Sequence, residues 1–276
     1  MDRKATARET LGIMEKGYYV LDGEKIDIKE QQKACIEKTI LFSPEQGERL
    51  LEDYSTPVSR TTNKTKLEVW DCSTVEAILT LSEMGKKPSI LNFASAKNPG
   101  GGFIGGAMAQ EESLAASSCL YYSLLSQEEY YKNNRACRSM IYTDHAIYSP
   151  DVVFFRDGRF RLHSPMIASV LTLPAVNMGQ VILKGEDKAQ AEKAMKRRMK
   201  LALAIFARQE CQHLVLGAYG CGVFRNDPEQ IATWWKEHIT EYFSGTFETI
   251  IFAVLDHSKN QSCLKSFQDH FKAPEV

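Results

Sequence analysis

Ser89-Ile90-Leu91-Asn92-Phe93-Ala94, followed by Asn98-Pro99-Gly100-Gly101-Gly102-Phe103-Ile104-Gly105-Gly106-Ala107-Met108-Ala109-Gln110-Glu111-Glu112, sets the reading of the whole chain. The first segment is a mostly apolar run of strand length. The second places five glycines in positions 100–106 and then meets two adjacent carboxylates where a helix is predicted to begin. Strand, glycine loop and helix in that order predict an α/β fold with a phosphate held at a strand's carboxyl end. Bare backbone lets N–H groups crowd around a diphosphate, with no Cβ in the way. A carboxylic acid a few residues beyond such a grip predicts a nucleotide sugar presented to a general acid.

Working outward, the pattern returns once. His213-Leu214-Val215-Leu216 leads into Gly217-Ala218-Tyr219-Gly220-Cys221-Gly222-Val223-Phe224, and Asp227-Pro228 then offers an N-cap with proline at the first helical position. Two such loops could cup the two sides of one diphosphate, with helix N-termini adding favourable dipoles. Phe224 at the loop's end could pack on a ribose or plug the core. Around the loops, strands and helices alternate. Helices are predicted over 5–16, 74–84, 111–125, 186–210 and 259–271, strands over 67–70, 151–155 and 247–255, and an apolar run over 166–173. A hairpin turns at Asp22-Gly23, and a polar stretch carrying Pro44, Gly47, Pro57 and Thr61-Thr62-Asn63 precedes the strand at 67. The alternation implies a largely parallel or mixed sheet covered on both faces, in one domain with a decorated N-terminus.

With 34 basic against 35 acidic residues among 276, no overall field draws the chain to nucleic acid or anionic membrane, so a polyanionic ligand must be gripped locally. The basic cluster Lys193, Lys196, Arg197, Arg198 and Lys200 lacks interleaved aromatic residues and reads as a solvated helix face; direct nucleic-acid binding is not expected. The seven cysteines are odd in number and contain no C-x-x-C pair, which argues against a disulfide framework and a zinc site and fits a reducing compartment. Residues 1–9 lack the apolar core of a signal peptide, and apolar runs such as 201–206 fall far short of the roughly 20 residues of a membrane span. The expected compartment is the cytoplasm, with no membrane partner.

Gly100, Gly102 and Gly105 formally match G-x-G-x-x-G, yet the loop does not open directly into a helix, and Gln127-Glu128-Glu129 lies inside helical sequence, not at a strand's end. No G-x-x-x-x-G-K-[ST] occurs, which removes a nucleoside-triphosphate P-loop. Glu111 and Glu112 diverge by about 100° on a helix, so they suit a division of labour better than opposite faces of one glycosidic bond. One would grip ribose hydroxyls while the other reaches the bridging oxygen; their repulsion would lift one pKa. Both could instead simply decorate an acidic first turn, with Gln110 as a helix-start or supporting group. Asp144-His145 and Asp256-His257 have no nucleophile beside them, and Cys221 reads as a small residue permitting close approach.

Gly100-Gly101-Gly102, seven residues, then Gln110-Glu111-Glu112 resembles the signature of poly(ADP-ribose) glycohydrolases. The segments 92–99, 113–115, 148–152 and 220–228 and Arg8-Glu9-Thr10-Leu11 resemble its microbial branch, over nearly the whole chain. The resemblance implies a three-layer α/β/α macrodomain with a mixed central sheet, spanning 1–276 with residues 1–65 as an N-terminal helical and hairpin extension packed on the core. It implies that Glu112 is the catalytic acid, that Glu111 binds the ribose of the scissile bond and that Asn98 contacts the same sugar. Gly100, Gly101, Gly102, Gly220, Cys221, Gly222 and Val223 would line the diphosphate, Phe224 would pack on the distal ribose, and Gln110 would complete the substrate-binding set. Poly(ADP-ribose), ADP-ribose and ADP-ribosylated proteins are the implied partners, with neither metal nor cofactor. Trimming from the polymer's free end is the implied mode. A non-catalytic ADP-ribose reader and a mono(ADP-ribosyl) hydrolase are the alternatives.

Overall fold

The computed structural model describes residues 2–58 and 64–271; Thr61-Thr62-Asn63 lies outside them. Asp2 caps helix α1 (Arg3–Lys16) by accepting from the Ala5 N–H. The hairpin follows as expected, β1 (Tyr18–Leu21) against β2 (Glu24–Asp27) around Asp22-Gly23. Part of the stretch that reads as polar is structured: α2 (Lys29–Lys38), β3 (Ile40–Phe42) and α3 (Pro44–Glu52). Pro44 there starts a helix, with Ser43 and Gln46 exchanging the two bonds of a capping box. β4 (Lys66–Trp70), α4 (Thr74–Glu83) and β5 (Pro88–Ala94) lead to the first glycine loop.

After the loop the expected helix over 111–125 is two helices, α5 (Gln110–Ser117) and α6 (Leu120–Leu125), followed by α7 (Glu128–Ala136). The break has a cause: Ser118 is extended, its hydroxyl donates to Leu114 O, and the Cys119 N–H donates to Val153 O at 2.9 Å. β6 (Ala146–Arg156) begins well before the expected strand because it runs through Pro150. Asp151 at φ +54° marks a bulge between Ser149 and Val152 that accommodates the proline. β7 (Leu162–Pro174), α8 (Met178–Leu183), α9 (Lys188–Arg208), β8 (His213–Leu216), α10 (Pro228–Glu241), β9 (Thr249–Ala253) and α11 (Ser262–Phe271) complete the chain.

Seven strands form one mixed sheet in the order β3-β6-β7-β5-β8-β9-β4, parallel from β7 to β4 and antiparallel at β3, β6 and β7. Side-chain alternation divides each central strand between two cores. Leu91, Leu171, Leu214 and Ile250 join the core under α9, α10 and α11, while Ile90, Val170, Val215 and Ile251 join the one under α4, α5, α6 and α7. These are the three layers the sequence implied. Because β5 and β8 are neighbours, their two glycine loops open side by side at the same end of the sheet. Helix α1 and the hairpin pack on the outer end of β6 through Val153 and Phe155. No helix among the described residues is long and apolar enough to cross a membrane.

The basic cluster of α9 is not simply a solvated face. Arg198 is 1% exposed and donates to Asp144 Oδ1 (2.8 Å), Ile141 O (2.9 Å) and Pro174 O (2.9 Å). Arg197 pairs with the same Asp144 carboxylate and with Glu48. Burial pushes the Asp144 carboxyl up, but the two guanidiniums more than reverse this and hold it below its ordinary value. Helical periodicity alone places Arg198 without revealing that carbonyls at the end of β7 need a donor. Asp144→Ala leaves that guanidinium buried without its counter-charge. Urea unfolding is expected to show a loss of about 3–5 kcal/mol.

Candidate active site

β5 and the residue that follows it carry the groups that fix Gln110 and Glu111. Asn92, wholly buried in an otherwise apolar strand, donates through Nδ2 to Glu111 Oε1 (3.2 Å) and to Thr172 Oγ1 on β7 (3.1 Å). At the strand's end the Ser95 N–H donates to Glu111 Oε2 at 2.6 Å. Beyond Ile90, where pairing with β8 has ended, the Phe93 N–H and the Leu91 carbonyl face Gln110. Its Oε1 accepts from Phe93 N (2.8 Å), and its Nε2 donates to Leu91 O (2.8 Å) and Thr74 Oγ1 (3.2 Å). Both ends of the Gln110 amide are therefore spent on pinning α5 to the sheet, the supporting role its position suggested.

Glu112 stands at the third position of α5 and acts there as a capping residue. Its Oε2 accepts from the Ala109 N–H (3.0 Å), and its Oε1 accepts from the Gly102 N–H (2.9 Å), ten residues back along the loop. The plain first-turn reading and the reading as a site residue thus describe the same side chain. Divergence on the helix does not separate the pair, because the loop folds back between them. A Cβ at Gly101 would collide with Glu112 Oε1 and lie 2.9 Å from Glu112 Cδ and 3.2 Å from Glu111 Oε2. Gly101 also sits at φ +61°, where L side chains are strained.

The pKa that rises is that of Glu111. Burial, at 3% exposure, pushes it up to about 8, against the lowering effect of the Ser95 and Asn92 hydrogen bonds; the Glu112 charge adds a smaller upward push. Repulsion between the two carboxylates is therefore a minor cause, and desolvation the main one.

The remaining residues singled out from sequence lie on the two glycine loops. Asn98 is exposed at the lip of the loop, its N–H on Ser95 Oγ (3.1 Å) and its carbonyl accepting from Gly101 N (3.0 Å). In the second loop Gly220, at φ +74°, presses so closely on Asn226 and Ala175 that a Cβ would lie 2.6 Å from Asn226 Nδ2. Asn226 holds that turn by donating to Gly220 O (3.0 Å) and Val176 O (2.8 Å). Gly222 and Val223 are exposed, Val223 at 81%, whereas Cys221 and Phe224 are half-buried. The Phe224 ring lies 6.3 Å from that of Tyr142. Sequence reasoning assigned no role to Thr74, Asn92, Ser95 or Thr172; a lone asparagine amid apolar strand residues was the available signal. The two Asp-His pairs lie elsewhere in function. Asp144 serves Arg197 and Arg198, and Asp256 accepts from the N–H groups of Ser258, Cys263 and Leu264 at the start of α11. No cluster of three or more His, Cys, Asp or Glu suited to a metal occurs among the described residues.

Residues 7–157 match the family model described as the catalytic domain of microbial-type PARG, poly(ADP-ribose) glycohydrolase. Among solved structures the chain is similar to the poly(ADP-ribose) glycohydrolase of Thermomonospora curvata, at 36% identity and TM-score 0.91 over 98% of this chain and 99% of that one. The same enzyme bound to the inhibitor ADP-HPD matches at 36% identity and TM-score 0.90, with the same coverage. The Deinococcus radiodurans enzyme in complex with ADP-ribose matches at 41% identity and TM-score 0.82, over 92% of this chain and 99% of that one. No curated protein sequence matches.

Two outcomes follow from the geometry. Gly101→Ala is expected to cost at least about 1–2 kcal/mol in urea unfolding, from left-handed strain alone and more from the collision with Glu112. Glu111, whose folded pKa lies above its ordinary 4.5, contributes stability that is full below 4.5 and lost as pH rises through about 8. Replacing it with glutamine removes that titration. Urea midpoints taken at about pH 5 and about pH 9 should therefore fall for the wild type relative to Glu111→Gln; parallel profiles would contradict a buried, neutral Glu111.

Proposed function

Because the chain belongs to the microbial-type poly(ADP-ribose) glycohydrolase family, a family of glycosyl hydrolases, we propose that it cleaves ribose–ribose O-glycosidic bonds of poly(ADP-ribose) with Glu112 as acid and base. The observation that carries this reading is the convergence of Glu111 and Glu112 on Gly101, inside a loop whose backbone is bare enough to hold a diphosphate. Gly100 to Gly102 and Gly220 to Val223 grip the diphosphate, Asn98 meets the adjoining ribose at the lip, and Phe224 packs on the distal ribose. The complex of the Deinococcus relative with ADP-ribose supports the choice of ligand. Among the described residues of 1–65, α1 and the hairpin act as an extension packed on the core, while β3 joins the central sheet as its edge strand.

Glu111, kept neutral at pH 7 by burial, can both donate to and accept from the ribose hydroxyls. Glu112 gives its proton to the departing 2′-oxygen as the bond from that oxygen to the anomeric carbon breaks. The oxocarbenium-like ribose that forms is stabilised by the neighbouring diphosphate. Water then adds to the anomeric carbon, and its proton returns to Glu112, so the carboxyl ends as it began. The Gly102 N–H, which holds Glu112 Oε1 in the free protein, belongs to the backbone that would turn to a phosphate. Substrate binding thereby frees Oε1 to face the departing 2′-oxygen. Release of ADP-ribose from the free end is the mode that the family resemblance supports, with ADP-ribosylated proteins as the carriers of the polymer.

Glu112→Ala is expected to lower the release of free ADP-ribose from poly(ADP-ribose) by about 10²–10⁴-fold, while calorimetry finds ADP-ribose affinity little changed. Release at the wild-type rate would refute the role of Glu112. Short oligomers appearing ahead of ADP-ribose would refute the end-trimming mode.

A further inference from the structure

Helix α1 packs against the first glycine loop. At Gly106 a Cβ would come within 3.1 Å of Lys4 Cγ and 3.6 Å of Arg3 Cβ. Arg3 and Glu112 border one notch of about 10 Å³, room for a single water. Two features here are not required by packing. Arg3 and Lys4 are exposed, and neither enters an ion pair among the described residues. Beside them the loop presents apolar side chains to solvent, Ile104 at 50% exposure and Met108 at 41%.

We propose that Arg3, Lys4, Ile104 and Met108 form a subsite for the leaving unit of the polymer, an adenosine diphosphate whose 2′-oxygen lies at Glu112. The inference rests on the hydrolase reading above and extends it to the other side of the bond. In a ribose–ribose link the departing oxygen sits on an adenosine ribose, so an adenine and a diphosphate flank it on the side away from the gripped ADP-ribose. The adenine face meets the exposed apolar pair, with the Met108 thioether a suitable partner for an aromatic ring. The diphosphate, on the same ribose, meets the guanidinium and ammonium groups of α1. The notch is too small for the adenosine, which lies across its mouth. An ADP-ribose attached singly to a protein has no such adenosine on its leaving side, so this surface favours polymer over mono-modified substrates.

The Arg3→Ala/Lys4→Ala double variant changes exposed side chains only and is expected to fold. On poly(ADP-ribose), its KM should rise by about three- to tenfold with kcat nearly unchanged, the size of two screened charge contacts. The salt dependence of kcat/KM should flatten, since fewer phosphate contacts remain to be screened. Affinity for ADP-ribose itself should not move. Met108→Ala should raise KM without altering the salt dependence, and Arg3→Lys with Lys4 retained should stay close to wild type. An active wild type whose double variant keeps the same KM and salt slope overturns the subsite alone. A wild type unable to cleave the polymer overturns the hydrolase reading, and the subsite with it.

Discussion

The bare Cα of Gly101, at φ +61°, lets the first glycine loop fold inward until its neighbour's N–H reaches Glu112 Oε1 and Glu111 Oε2 closes on the same residue. Sequence-adjacent glutamates on a helix point apart by about 100°, so a shared target must come to them. The loop supplies it. Everything else at this end of the sheet holds that loop and helix in register: the Gln110 amide on the open edge of β5, the Asn92 and Ser95 donors on Glu111, and the Asn226 brace under the second loop. Substituting a side chain at 101 would disturb both carboxylates at once, whereas trimming any single donor would disturb one.

Holding Glu111 this way is costly. A carboxyl at 3% exposure has lost most of its water, and two hydrogen bonds do not restore it, which is why its pKa stands near 8. Asn92 shares the cost: its Oδ1 is buried with no hydrogen-bond partner among the described residues. Such groups persist only where the surroundings over-determine them. Here the surroundings are two cores, one on each side of β5, β7, β8 and β9, that leave those strands no freedom to relax around a polar defect. The sheet's interior is what makes a strained end affordable.

How much of this could be read in advance depended on how locally each feature was determined. The α/β alternation, both glycine loops, the Asp22-Gly23 hairpin and the Asp227-Pro228 helix start rest on short-range rules and stand in the structure. The misreadings arose where tertiary contacts overrode local signals. A strand was expected only over 151–155, yet a bulge at Asp151 lets β6 run back through Pro150. Residues 118–119 looked helical, yet the Val153 carbonyl draws the Cys119 N–H out of the helix. α2 buries only Gln32 and Cys35, so no hydrophobic stripe announced it. Arg198 illustrates the same limit: in sequence one cation among five, in the fold a buried donor to Asp144 and three carbonyls. The carboxylate pair was legible as a motif, but which member would be desolvated was not, since that depends on Asn92, Ser95 and the depth of β5.

In the proposed reaction, capping and chemistry meet in Glu112, and the combination has a physical logic. A side chain meant to pass protons must be placed to within a fraction of an ångström, and free rotation about its three torsions would forfeit that placement. Binding Oε2 to the Ala109 N–H fixes the carboxyl against the helix's own first turn, a frame already rigid because Gln110 ties it to the sheet. Only Oε1 remains to be used, and its partner in the free protein, the Gly102 N–H, comes from the glycine loop. One oxygen is anchored to the helix's first turn, the other to the loop that, in the proposed reaction, takes up a phosphate. A glutamate one position earlier or later on α5 could not make both contacts, because the reach-back to the N-cap is specific to the third residue of the helix.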